Sequence, residues 1–149
     1  MLGTAIDLLS KGANFERLLY GLWVTIKLSL ISAIFSIIFG ILFGLFMEIK
    51  NSITKIISQI YLQVIRIMPP LVLLFIAYFG VTRIYGVYIS AETSAITIFT
   101  IWGTVEMGDL VRGSIESIPK SQIESAIALA LDKKQIYLYV IIPQIIRRL

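Results

Sequence analysis

The carboxylates Glu106 and Asp109 stand three residues apart, which on a helix puts both on one face. Such a pair could act as a general acid and base, or receive a cation. Histidine and cysteine are both absent, which removes the commonest general base, the commonest metal ligand and thiolate chemistry together. An intramembrane acid protease using Glu106 and Asp109 would need a second catalytic aspartate on another span and a Gly-x-Gly-Asp element, and neither is present. Arg112 follows Asp109 at the same spacing, so pairing of these two is favoured over capture of a cation. The remaining charge of interest is Arg66, which stands shortly before Pro69-Pro70. It either lines a polar path or steadies a broken helix through freed carbonyls, and for an intramembrane charge the first reading weighs more. The two prolines themselves could simply begin a membrane helix.

The segments that carry these residues are written for lipid. Apolar residues make up 58% of the chain and charged ones 15%, with mean hydropathy +0.91; a soluble domain has about 45–50% and about 25%. Fold class is therefore all-α membrane protein, with three transmembrane helices, a polar cytoplasmic segment and the start of a fourth span. From Leu18 to Met47 the only charge is Lys27. Span one, 28–47, is about 30 Å of helix, the thickness of the hydrocarbon layer, with Lys27 reaching to the interface. Gly40 and Gly44 in it form Gly-x-x-x-Gly, which permits close helix approach and also arises readily by chance. Span two, 57–80, is irregular. The run from Ile67 to Gly80 is roughly 21 Å, too short to cross alone, so the span borrows earlier turns and places Arg66 at membrane depth. Pro69 and Pro70 break its hydrogen-bond ladder, which is tolerated only where protein or water surrounds it. Residues 81–92 read as a loop and 93–111 as span three.

Lysine and arginine bias sets the orientation. Lys50, Lys55, Arg112, Lys120, Lys133, Lys134, Arg147 and Arg148 share one side, against Lys11, Arg17, Lys27 and Arg83 on the other. The richer side is cytoplasmic, which puts residues 112–142 inside and the N-terminus outside. Residues 1–19 read as an amphipathic or loose surface segment rather than a cleaved signal, since Asp7 precedes the first basic residue and no small-residue cleavage site follows. The net charge of +4 is scattered between apolar runs, without the clustered basic footprint of a nucleic-acid binder.

Within the cytoplasmic segment, Ser121-Gln122-Ile123-Glu124 has the form of a capping box, so a short helix starts near Gln122. Its small residues Ser125, Ala126, Ala128 and Ala130 make a thin rod able to enter a groove on another protein, although an ordinary solvated loop helix has the same pattern. Asp132-Lys133-Lys134 makes a polar turn, and a second helix runs to Pro143. An apolar stretch from Ile136 to Ile146, interrupted by Pro143, opens a fourth span.

Residues 124–143 resemble the Glu-Ala-Ala motif of ATP-binding-cassette importer permeases: Glu124-Ser125-Ala126, then Ala130 at the glycine position, then Val140-Ile141-Ile142-Pro143. The stretches Arg112–Ala126 and Arg66–Gly80, with Gly21, Leu22 and Thr25, are similar to the polar amino-acid subfamily. Departures are Ser125 for alanine, Ala130 and Ser121 for glycines, Asp109 for glutamate and Glu106 for tyrosine. Ala130 bears on the turn, because alanine is strained at positive φ. The resemblance implies a permease subunit of an ATP-driven importer, for amino acids, that pairs with a second permease subunit. It docks Glu124, Ser125, Ala126, Ala130 and Pro143 on a cytoplasmic ATPase, and an extracytoplasmic binding protein delivers solute to a path that includes Arg66, Pro69, Glu106 and Asp109. It implies a bacterial inner membrane, no cofactor, ATP hydrolysis on the partner, and two further spans beyond a C-terminally truncated sequence. A stand-alone channel or small secondary transporter is the alternative; it leaves residues 114–143 without a partner.

Overall fold

The computed structural model describes residues 14–49 and 51–148. The amphipathic reading of residues 1–13 and the placement of Lys50 lie outside them. The described residues form helices joined by short connections, and contain no strand.

Helix α1, Asn14–Met47, starts earlier than span one. Its large apolar side chains, Leu30, Ile34 and Leu42 among them, are exposed, while Ser32, Ser36, Gly40 and Gly44 are buried. A soluble helix buries its large apolar residues; here the four small ones, spaced four apart, form the contact stripe, and the bulky ones face outward. Only 22% of its most apolar window is buried, which is the pattern of a helix that faces lipid. Among the described residues α1 is the helix long and apolar enough to cross a membrane by itself.

The partner of that stripe is α4, Ala91–Glu116. Ser90 caps α4 by accepting from the Thr93 N–H at 3.1 Å. Gly40 lies against Met107, and a Cβ on Gly44 would stand 2.6 Å from the Val111 Cβ and 2.9 Å from the Gly108 carbonyl. Such approach is possible only for glycine, and the Gly-x-x-x-Gly pattern is therefore a packing feature of this fold. Val105 and Val111, the most completely buried large side chains, lie on the same helix.

Between them in sequence comes α2, Ser52–Ile67, capped by Asn51, whose Oδ1 accepts from the Ile53 N–H at 3.1 Å. It is strongly two-faced: Ile53, Ile56, Ile57, Ile60 and Val64 are exposed, and Lys55, Gln59, Gln63 and Arg66 follow one another at helical spacing. At Met68 and Pro69 the backbone becomes extended, and Pro70 opens α3 (Pro70–Tyr85) at an angle of 95° to α2. Pro70 sits where a missing N–H costs nothing, so the break expected from the two prolines is a sharp corner between two helices. Helix α3 includes a π-helical turn at Ile76–Gly80 and ends at Gly86, φ 66°. The loop expected over 81–92 shrinks accordingly to the residues between Tyr85 and Ala91.

Two further helices follow α4. Helix α5, Lys120–Ala128, has Pro119 at its N-cap and no side-chain cap. The capping box expected at Ser121 does not form, because Pro119 already sets the entry and the Gln122 N–H donates to the Pro119 carbonyl. The capping box is instead at Asp132 and Gln135, where each side chain bonds the other's backbone N–H at 2.8 Å in opposite senses. It starts α6, residues 133–148, where a polar turn was expected. Nor does α6 stop at Pro143: a π-helical stretch, Ile136–Ile141, precedes it. Widened turns of this kind absorb a residue that cannot donate into the ladder.

Candidate functional site

Two places on the molecule bring the expected residues together. At the corner between α2 and α3, Arg66 reaches across to α4. Its Nε donates to Glu106 Oε1 at 3.0 Å, and its Nη2 donates to Glu106 Oε2 at 3.3 Å and to Asp109 Oδ2 at 2.8 Å. Asp109 in turn accepts from Arg112 at 2.8 Å through its other oxygen, and Arg112 donates to Glu116 at 2.7 Å. Five charges thus alternate along one edge of α4, locking the last turn of α2 onto it. The Asp109–Arg112 pair is as the spacing predicted. Arg66 pairs with carboxylates, not with the freed carbonyls that were considered for it, and both acids of the supposed dyad are occupied by guanidinium. A fork that satisfies two carboxylates at once is specific to arginine. All of these groups are partly solvent-exposed, so the cluster positions elements more than it stabilises them. Pro69 lies exposed at the corner itself.

Beside the cluster, α2, α4 and the α1–α2 turn enclose an open cavity of about 840 Å³. Lys55, Ser58, Gln59, Gln63, Arg66 and Arg112 are in its wall. This cavity has no counterpart among the features expected from the sequence. Its signal was the helical spacing of 55, 59, 63 and 66, masked by the isoleucines between them.

The second place is the α5–α6 knuckle. Ile118, Ala126, Ile136, Ile141 and Ile145 form a small core of their own, and Gln122 and Gln144 join the two helices by a side-chain hydrogen bond. The turn between the helices is a Schellman motif: the Leu131 N–H donates to the Ala126 carbonyl at 3.1 Å and the Ala130 N–H to the Ile127 carbonyl at 2.9 Å. Ala130 adopts φ 58°, the one positive φ of a non-glycine residue among those described. Ala130 thus occupies a left-handed position that favours glycine, the residue the resembling motif has there. The segment's residues do not share one surface. Glu124, Ser125, Ala130 and Pro143 are exposed, whereas Ala126 is 3% exposed and packs inward. Ile127 and Leu129, not singled out from the sequence, project from the knuckle at 60% and 76% exposure, a large apolar presentation for a segment so rich in polar residues.

Among the described residues no group of acids could hold a metal ion. Residues 36–149 match the family described as binding-protein-dependent transport system inner membrane component. The probable glutamine ABC transporter permease of Bacillus subtilis (strain 168) is 30% identical over 142 residues, 93% of this chain and 65% of that protein. A putative glutamine transport system permease of Rickettsia felis is 30% identical over 129 residues, 87% of this chain and 59% of its own. The fold also matches a solved structure titled as an amino acid ABC transporter with histidines, with TM-score 0.76 and 25% identity over 90% of this chain and 65% of that one. The chain thus spans less than two thirds of the length of these relatives.

Proposed function

The chain belongs to the family of binding-protein-dependent transport system inner membrane components, and on that premise we propose that it forms half of the membrane path of an ATP-driven amino-acid importer. In this reading α1, the bent pair α2–α3, and α4 are the spans, the N-terminus faces outward, and residues 112–142 face the cytoplasm. Arg66, Pro69, Glu106 and Asp109 border the path. A second permease subunit completes it, and an extracytoplasmic binding protein supplies the amino acid named in the relatives' descriptions. ATP is hydrolysed on a cytoplasmic ATPase, into whose cleft the α5–α6 knuckle fits.

The observation that carries the reading is the knuckle. A nine-residue helix is marginal alone in water, yet this one is fixed by a private core and a closed turn while Glu124, Ile127 and Leu129 point away from that core. A rigid knob with exposed apolar tips is built to push on, or be pushed by, another body. Glu124→Lys is expected to abolish co-purification with an ATPase subunit while membrane insertion persists. Unchanged co-purification would overturn docking at this helix.

A further inference from the structure

Helix α6 turns one face into the knuckle and leaves the other bare among the described residues. Ile136, Ile141 and Ile145 run along its length and pack into the core shared with Ile118 and Ala126. Gln144, near its far end, is hydrogen-bonded to Gln122 on α5. Helix α5 carries Lys120, Ser121, Gln122, Glu124 and Ser125, side chains that hydrocarbon does not accept without partners. Fastened to that polar neighbour from Ile136 to Ile145, α6 stays outside the hydrocarbon layer over the same length. Yet Tyr137, Leu138, Tyr139, Ile142 and Ile146 on it are exposed. An apolar patch of this kind marks an interaction surface.

The charges show what covers it. Residues 133–148 hold Lys133, Lys134, Arg147 and Arg148 and no acidic residue, an excess of four that equals the net charge of the whole chain. Lys133, Lys134 and Arg147 make no ion pair among the described residues, unlike Arg66 and Arg112. Asp132, the nearest acid in sequence, is held in the capping box. The basic groups thus stand at the two ends of the helix, with tyrosines and aliphatic residues between them. From Lys133 to Arg147 is about 21 Å, short of the roughly 30 Å of the hydrocarbon layer. Both ends reach headgroups when the helix lies along one leaflet. In that plane the apolar face meets the acyl boundary, tyrosine sits at the headgroup level, and lysine and arginine meet anionic lipid. A protein partner would need acids at both ends of an apolar groove, whereas an anionic bilayer offers that combination everywhere.

We infer that α6 is seated in the headgroup layer of the cytoplasmic leaflet. Lys133, Lys134 and Arg147 lie on anionic phospholipid headgroups, with Leu138, Ile142 and Ile146 against the upper acyl carbons. The bilayer then braces one helix of the knuckle while the other faces the ATPase. The inference takes its side of the membrane from the importer reading and adds a partner, anionic lipid, which that reading does not contain.

Nitroxide labels on Leu138→Cys and, separately, on Leu129→Cys test it, since the chain has no other cysteine. Collision with oxygen reports lipid around the label, and collision with a soluble nickel chelate reports water. The full chain is placed in nanodiscs of phosphatidylcholine alone, or of phosphatidylcholine mixed with phosphatidylglycerol. With phosphatidylglycerol, the Leu138 label is expected to favour oxygen several-fold over the chelate. It should lose at least half of that preference in phosphatidylcholine alone, and likewise when Lys133, Lys134 and Arg147 are all replaced by glutamine. The Leu129 label should stay in water throughout. Equal oxygen preference in the two membranes, or free chelate access to Leu138 in both, would overturn the inference. So would a Leu138 label that is shielded only once the ATPase is added, because the face would then belong to that protein. Lipid contact at Leu138 without ATPase co-purification would overturn the importer reading alone.

Discussion

At the residue scale the clearest cost in the molecule is Ala130. A left-handed alanine is unfavourable by roughly 1 kcal/mol, and φ 58° with two hydrogen bonds closing the turn leaves it no relief. Ala130→Gly is therefore expected to stabilise the α5–α6 knuckle by about 1 kcal/mol, read as a higher melting temperature in detergent or as slower hydrogen exchange at Leu131. That this position favours glycine followed from the resemblance to the importer motif, whose glycine Ala130 replaces; the positive φ itself is a finding of the structure. The partner of Arg66 was not legible in the sequence: Glu106 lies forty residues away, and spacing rules reach only across a turn or two. Arg66→Lys puts one ammonium where a fork served two carboxylates. It should lower uptake several-fold in the reconstituted importer with membrane insertion unchanged, and equal loss of both would make the cluster merely structural.

At the element scale, the small-residue face of α1 governs packing. Extending the side chain at Gly44 drives it into Val111 and the Gly108 carbonyl. Gly44→Leu is thus expected to destabilise the α1–α4 pair by about 1–3 kcal/mol or to separate the helices, measured by thermal unfolding. Gly21, with nothing within 4 Å of an added Cβ, is the control: Gly21→Ala should be neutral or stabilising by a few tenths of a kcal/mol. The long apolar run of α1 and the Pro69-Pro70 break could be read directly, because length in lipid and loss of a backbone donor are local properties. The Gly-x-x-x-Gly pattern could not be separated from chance until Ser32 and Ser36 were seen to continue it onto α4. The start of α5 and the passage of α6 through Pro143 were misread for one reason. A proline's effect depends on what turn precedes it, and neither the Pro119 entry nor the π-helical stretch at Ile136–Ile141 has a sequence signature of its own.

At the scale of the whole molecule, the fold separates a lipid-facing bundle from a knuckle with its own core, joined by the C-terminal turns of α4. The charged cluster at Arg66, Glu106, Asp109 and Arg112 lies along α4 just before that knuckle, so one helix joins the knuckle to the corner of α2 and α3. The orientation proposed for this arrangement predicts that a cysteine in R83C is labelled by an impermeant maleimide from outside intact cells, and one in K120C only after the membrane is opened; the reverse pattern would invert the topology. The chain has no cysteine of its own, which also allows the most direct test of the account. A single cysteine in L129C, at the tip of the knuckle, is crosslinked in membranes that contain the candidate ATPase. The account predicts a single adduct with the ATPase, lost in the Glu124→Lys background. A knuckle that crosslinks only to lipid or to nothing in the presence of that ATPase would contradict it.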